Sequence, residues 1–147
     1  MDCIYCGKET KVVNSRPKKA DKQVWRRRRC LGCHAIVTST ESYLLKDVLR
    51  VQKKNGSFEP FHRDKLFLSI LKATDHLPKT TELAGSLTAT VLRHIIKRTP
   101  LDVVVSSRVI AKEVSQVLKR YDAAAAVRYL SFQTNLQLPN DVRRTFK

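Results

Sequence analysis

Cys3, Cys6, Cys30 and Cys33 stand as two CxxC pairs. That is the spacing of a four-thiolate zinc site, because each pair closes a tight turn that aims both sulfurs at one tetrahedral ion. With thiolates in all four positions no coordination site is open to water or substrate, so the metal expected here is structural and not catalytic. A disulfide framework is the competing reading, and no apolar signal segment precedes Cys3 to direct the chain to an oxidising compartment. The loop between the pairs, residues 7–29, carries ten Lys or Arg against two acids. It ends in Arg26-Arg27-Arg28-Arg29, directly before Cys30, where a bound metal would hold the backbone rigid. Alternation along an extended segment sends successive arginines to opposite faces, so about two of the four meet one phosphate row or groove. Arg16, Lys18, Lys19 and Lys22 widen the patch, and the bland alternative is a solvated charge run.

A second group of cations surrounds Asn55-Gly56: Lys53 and Lys54 before it, Arg63 and Lys65 after it. Lysines give mobile point charges and a helix start gives unpaired N–H groups, which together suit a triphosphate. An Asn-Gly hairpin with exposed lysines is the more ordinary account of the same residues. His34, His62, His76 and His94 are scattered, with no carboxylate or nucleophile at catalytic spacing, and read as ordinary side chains. No acid, base or open metal position supports an enzyme.

These groups need elements to position them. The 147 residues allow one ordinary domain or two small ones, and the cysteines confine a metal module to the first third. No run of eighteen apolar residues occurs, so no membrane partner is expected. A net charge of +16 is too large for solubility alone and points to a polyanion held through phosphates. Residues 1–50 hold 12 Lys or Arg against 5 acids, and residues 51–147 hold 17 against 8, so the first segment is the denser in charge.

Short strands are expected near Lys11–Asn14, Gln23–Arg28 and Ala35–Ser39 between the cysteine turns, giving a small zinc ribbon. Trp25 and Tyr43 read as its core sooner than as base-stacking platforms. Val48–Lys53 and Ser57–Phe61 form a hairpin around Asn55-Gly56, a pair tolerant of positive φ. The hydrophobic period then changes from 2 to 3.6, with Leu66, Phe67, Ile70 and Leu71 on one face of a helix over about Arg63–Asp75. Thr80 or Thr81 caps the next, whose stripe is Leu83, Leu87, Leu92, Ile95 and Ile96 before Pro100. A third opens at Ser106 or Ser107 with Val109, Ile110, Val114, Val117 and Leu118. Asp122 caps a fourth that begins at Ala123–Ala126, and Pro139 closes the fold.

The order of these motifs resembles the NrdR family of ribonucleotide-reductase transcriptional repressors, which joins a zinc ribbon to an ATP-cone domain. The resemblance is carried by Cys3xxCys6, Ser15-Arg16-Pro17, the arginine run into Cys30xxCys33, Thr38 and Glu41, and then Val51-Gln52-Lys53-Lys54-Asn55-Gly56 with Glu59, Phe61 and Lys65. Ser106, Ile110, Val114, Leu118, Asp122, Val127-Arg128 and Ser131 continue it to the closing helices. The chain departs from the family pattern at His34, Ile36, Val37 and Thr40, where Gly, Arg, Phe and Tyr are usual, and at Arg29, where an acid is usual. His62 replaces the usual Asp, and Ala126 and Gln133 replace tyrosines.

The resemblance implies an α+β protein with a zinc ribbon over 1–46, a mainly helical ATP-cone with a β-hairpin over 47–138, and a basic tail over 139–147. It implies one structural Zn2+ on Cys3, Cys6, Cys30 and Cys33, and operator DNA on Arg16, Arg26, Arg27 and Arg28 with Lys11 as a helper. ATP or dATP would lie on Val51, Lys53, Lys54, Asn55, Gly56 and Lys65. It further implies a bacterial cytoplasmic repressor, nucleoid-associated when bound to double-stranded DNA, whose homo-oligomeric state answers to the nucleotide. The alternative is a zinc-ribbon nucleic-acid-binding module whose cone no longer binds nucleotide.

Overall fold

A computed structural model describes residues 1–98 and 103–132. The helix stops expected at Pro100 and Pro139, Gln133 and the basic tail at 139–147 lie outside the described residues. The chain divides into two compact units, Met1–Leu44 and Leu45–Lys147. The two-part α+β architecture is as expected.

In the first unit β1 (Thr10–Lys18), β2 (Gln23–Cys30) and β3 (Ile36–Ser42) form an antiparallel sheet in the order β1-β2-β3. A single 3-10 turn at Lys19–Asp21 joins β1 to β2, closed by Lys22 in the left-handed region at φ 50. The strands outrun the alternating segments in the sequence because their ends are rows of cations and hydroxyls, where cross-strand pairing and not apolar alternation sets the length. Between Val12 and Asn14 the register with β2 slips by one residue, a bulge at Val13. The buried residues of this unit are Cys3, Thr10 and Cys30, all at its cysteine end. The sheet therefore has no buried apolar core of its own, and a metal held by the cysteines would add folding free energy there. Tyr43 corrects the core expectation: it is 74% exposed, while Trp25 is half-buried.

In the second unit a short helix α1 (Leu45–Val48) leads into β4 (Arg50–Gln52) and β5 (Phe58–Pro60). These pair antiparallel, with Val51 opposite Glu59. The helices are α2 (Arg63–Ala73), α3 (Thr80–Arg98), α4 (Ser107–Tyr121) and α5 (Ala123–Phe132). Between α3 and α4 a third strand, β6 (Val104–Ser106), runs parallel to β4, so the sheet order is β5-β4-β6. Sequence reading missed α1 and β6, since four or three residues are too few to establish a period. The core is built from Ile70 and Ala73 of α2, Val91 and Ile95 of α3, Val105 of β6, and Val114 and Leu118 of α4. Each is at most 2% exposed.

The caps explain the helix limits. Thr74 stops α2: its N–H and its hydroxyl both donate to the carbonyls of Ile70 and Leu71. Neither threonine caps α3 by accepting an amide. The Thr80 hydroxyl donates to the Leu77 carbonyl, and Lys79, at φ 51, turns the chain into the helix. Ser106 accepts the Arg108 N–H at 3.3 Å, and Asp122 accepts the Ala125 N–H at 2.6 Å, which starts α5 directly behind α4. Val109, placed on the core stripe by its spacing, is 41% exposed, whereas Glu113 is buried at 1%.

Candidate functional site

The cysteine end of the ribbon is two turns facing each other. In the first, the Gly7 N–H donates to the Cys3 carbonyl at 2.9 Å and Gly7 sits at φ 71. In the second, the N–H groups of Gly32 and Cys33 donate to Cys30 Sγ at 3.3 and 3.4 Å, and His34 takes φ 59. His34 thus fills the left-handed position that a glycine fills in the first turn. The four sulfurs lie within 4.8 Å of one another, with Cys3 to Cys33 at 3.6 Å and Cys6 to Cys30 at 3.4 Å. Thiolates about 2.3 Å from a tetrahedral zinc stand about 3.8 Å apart, so this donor set fits the ion. The Cys33 N–H, followed by that of Gly32, draws the Cys30 thiol down to about 6 against the opposing effect of burial. A thiol so lowered is readily given up as the thiolate a metal takes. All four cysteines expected to ligate the metal meet here.

Strand register sorts the arginine run. Residues directly opposite in an antiparallel pair share a face. Lys11 faces Arg29, Asn14 faces Arg27, Arg16 faces Trp25 and Lys18 faces Gln23. One face of the sheet therefore presents Lys11, Arg16, Lys18, Arg27 and Arg29, all exposed, around a half-buried Trp25. Arg26 and Arg28 belong to the other face, beside Val24, Val37 and Ser39. There Arg26 Nη2 is 2.7 Å from Glu41 Oε2, and Arg28 Nε donates to Ser39 Oγ at 3.1 Å. Of the five residues expected to bind DNA, the structure brings Lys11, Arg16 and Arg27 together and separates Arg26 and Arg28 from them. Lys18 and Arg29 join the first group. Simple alternation would have found Arg29 beside Arg27, but placing Lys11 and Arg16 with them required the bulge at Val13.

The second unit has a cleft of about 220 Å³ between its small sheet and helices α2, α4 and α5. Val51, Phe61, Leu66 and Ile110 give it apolar walls, while Glu59, His62, Lys65, Ser69, Ser107 and Tyr129 give it polar ones. Glu59 Oε2 holds Lys53 Nζ at 2.8 Å and Lys65 Nζ at 3.0 Å, so two lysines converge on one carboxylate oxygen. The Lys53 ammonium first, and then that of Lys65, holds the Glu59 carboxyl below the usual carboxylate range. Of the six residues expected to bind nucleotide, Val51 and Lys65 line the cleft and Lys53 reaches it through Glu59. Lys54, Asn55 and Gly56 form the turn and do not line it. Gly56 alone takes positive φ, at 83, while the Asn55 carboxamide accepts the Ser57 N–H at 3.1 Å. Sequence reading named Glu59 in the hairpin motif but did not place His62, Ser107 or Tyr129 in the cleft. For Ser107 and Tyr129 no local pattern could have shown it, because the cleft is assembled by folding.

A four-cysteine ribbon followed by a hairpin-and-helix domain defines the class. Residues 1–41 match the family described as Transcriptional repressor NrdR-like, N-terminal domain, and residues 49–136 match the ATP cone domain. Proteins named Transcriptional repressor NrdR align along nearly the whole chain. That of Symbiobacterium thermophilum is 36% identical over 143 residues, 97% of this chain and 93% of the relative. That of Syntrophus aciditrophicus is 33% identical over 148 residues, covering 100% and 91%. That of Anaplasma marginale (strain Florida) is 36% identical over 144 residues, covering 96% and 92%. The chain belongs to the NrdR family of transcriptional repressors and carries that family's zinc ribbon and ATP-cone. No helix among the described residues is long and apolar enough to cross a membrane.

Proposed function

We propose that this protein is a cytoplasmic repressor of ribonucleotide-reductase genes, binding operator DNA through its ribbon and reading ATP against dATP in its cone. The observation that carries this reading is the exposed cation face of the ribbon, Lys11, Arg16, Lys18, Arg27 and Arg29, held beside a four-cysteine cluster. Zinc on Cys3, Cys6, Cys30 and Cys33 would fix the strands, since the sheet has no core to fix them. Phosphates on both sides of a groove would meet the cations. Arg26 and Arg28 would support β3 through Glu41 and Ser39 and leave the DNA to their neighbours.

In the cone, Lys53 and Lys65 would transfer from Glu59 to nucleotide phosphates, with Val51 and Ile110 against the base or sugar. Control requires the two nucleotides to favour different homo-oligomers, because a ligand with equal affinity for both states shifts neither. The test is a titration of zinc-loaded protein against duplex DNA from a ribonucleotide-reductase promoter, with ATP, with dATP and with neither, while its mass in solution is followed. Repression predicts sequence-selective binding that differs between the two nucleotides together with a change in mass. A second reading, a nucleic-acid binder whose cone takes no nucleotide, is favoured by Glu59, which already occupies both lysines. Salt-sensitive binding indifferent to sequence and nucleotide would establish it instead.

A further inference from the structure

We propose that the outer face of α4 is a second DNA-binding surface, on which Arg108, Lys112, Ser115 and Lys119 meet the phosphates of one strand. This rests on the reading of the protein as a DNA-binding repressor and adds a surface on the second unit to the one on the ribbon.

The four residues recur along α4 with the helical period, so they lie within about 60° of one another around its axis, in a row about 16 Å long. Arg108, Lys112 and Lys119 are exposed and Ser115 is half-buried between the last two. Among the described residues no ion pair involves the three cations. Glu113, the one acid of α4, is turned inward at 1% exposure toward His94 and Arg98. The outer side of the helix, which also bears exposed Arg120, therefore has four cations and no carboxylate.

This order of charges works against the helix that holds it. Arg108 and Lys112 are like charges four residues apart, which repel on a helix surface. Arg108 also stands in the first turn, where the helix dipole favours an acid, and that turn has none. A face that only solvates the helix would interleave acids with its cations and begin with an acid. A polyanion removes both conflicts, and Arg, Lys and Ser are all phosphate-contacting side chains. The partner is not a second copy of this chain, since a net charge of +16 sets two copies against each other. Nor is it a membrane surface, because the apolar side of α4, with Val114, Val117 and Leu118, is already in the core and leaves nothing to insert. Duplex DNA fits: its phosphates recur about every 3.4 Å of axis along each strand, so the row is long enough to meet more than one. Ser107, Ile110 and Ala111 of the same helix line the cleft, which would put one helix between DNA and nucleotide.

The experiment measures binding of zinc-loaded full-length protein to a labelled duplex from a ribonucleotide-reductase promoter over a series of salt concentrations, with solution mass followed in parallel. Lys112→Gln/Lys119→Gln removes two cations of the row, and Lys79→Gln/Arg120→Gln removes two exposed cations outside it, so both variants lose the same net charge. The row variant should lower the slope of log K against log salt by about 2, and should weaken binding to an unrelated duplex by the same factor as to the promoter. The variant outside the row should keep the wild-type slope. Lys112→Arg/Lys119→Arg should keep it too, because the charges remain in place. Gln is a good helix former, and an unchanged melting temperature confirms that α4 is intact in each variant. Equal slopes for the wild type and the row variant would overturn this inference alone. So would equal losses in both Gln variants, which would assign the effect to net charge, and so would a changed mass at an unchanged slope, which would assign the row to a second copy. No binding of DNA by the wild type would instead remove the DNA reading, and this inference with it.

Discussion

Lys11 on β1 and Arg29 on β2 are cross-strand partners, two cations directly opposite each other on one face of the ribbon. Like charges in that relation destabilise a sheet, and this sheet has no apolar core to offset them. The arrangement makes sense for a surface whose charges are matched by a polyanion.

The first prediction follows from that face. Arg27→Ala and Arg29→Ala should each reduce the slope of log K against log salt for duplex DNA by about 1, the loss of one phosphate contact. Arg26→Ala should leave the slope nearly unchanged, because Arg26 lies on the other face and is paired with Glu41. Binding isotherms at four or five salt concentrations decide the matter. Equal slope losses for Arg26 and Arg27 would mean that the register does not select the DNA face.

How far the sequence discloses this protein differs from one region to another. The cysteine cluster is legible because the chemistry of one ion imposes the spacing. The stripes of α2 and α3 are legible because burial repeats with the helical period. The sorting of the arginines is not, because one extra residue at Val13 shifts every β1 partner beyond it. β6 was hidden for another reason. Val104-Val105-Ser106 is too short for a period and becomes a strand only because β4 is there to pair with it. The cleft residues Ser107 and Tyr129 likewise meet Lys65 only after the helices pack.

The second prediction concerns the metal. A strong chelator should abolish DNA binding and the ribbon's protected amides while leaving the helical circular dichroism, because the helices have a core of their own. Within the ribbon, His34→Gly should raise metal-loaded stability by roughly 0.5–1 kcal/mol, since a non-glycine residue at φ 59 is strained there. Competition for zinc against a chromophoric chelator measures it. Weaker zinc retention in His34→Gly would show that the ring makes a compensating contact.

A third prediction is an acid-side loss of stability. The carboxyls of Glu59 and Asp122 are both held low in the folded state. For Glu59 the causes are Lys53 and then Lys65; for Asp122 they are the Ala125 N–H and then His76. A carboxyl lowered on folding contributes stability that is fully present above its unfolded pKa, about 4, and is lost as the pH falls through the lower folded value. Melting temperature should therefore drop between about pH 5 and 3. Glu59→Gln and Asp122→Asn should each flatten that drop, and Asn can still cap α5. Parallel curves for the wild type and both variants would show that other carboxyls govern acid unfolding.

The last prediction concerns Glu113, whose carboxylate is buried on α4 at 1% exposure. Arg98 of α3 pairs with its Oε1, and His94 Nδ1 lies 3.4 Å from Oε2. Removing one partner of a buried pair leaves the other charge desolvated and unmatched, which costs more than removing both. Arg98→Ala should therefore destabilise the cone by about 2 kcal/mol, less than a fully buried partner would cost because Arg98 is 57% exposed. Adding Glu113→Gln to that variant should restore at least half of the loss, since the amide carries no charge to strand. Urea unfolding of the wild type, both single variants and the double variant closes the cycle. Additive losses would mean that Arg98 and Glu113 act on the α3–α4 packing independently and that their pairing contributes nothing to it.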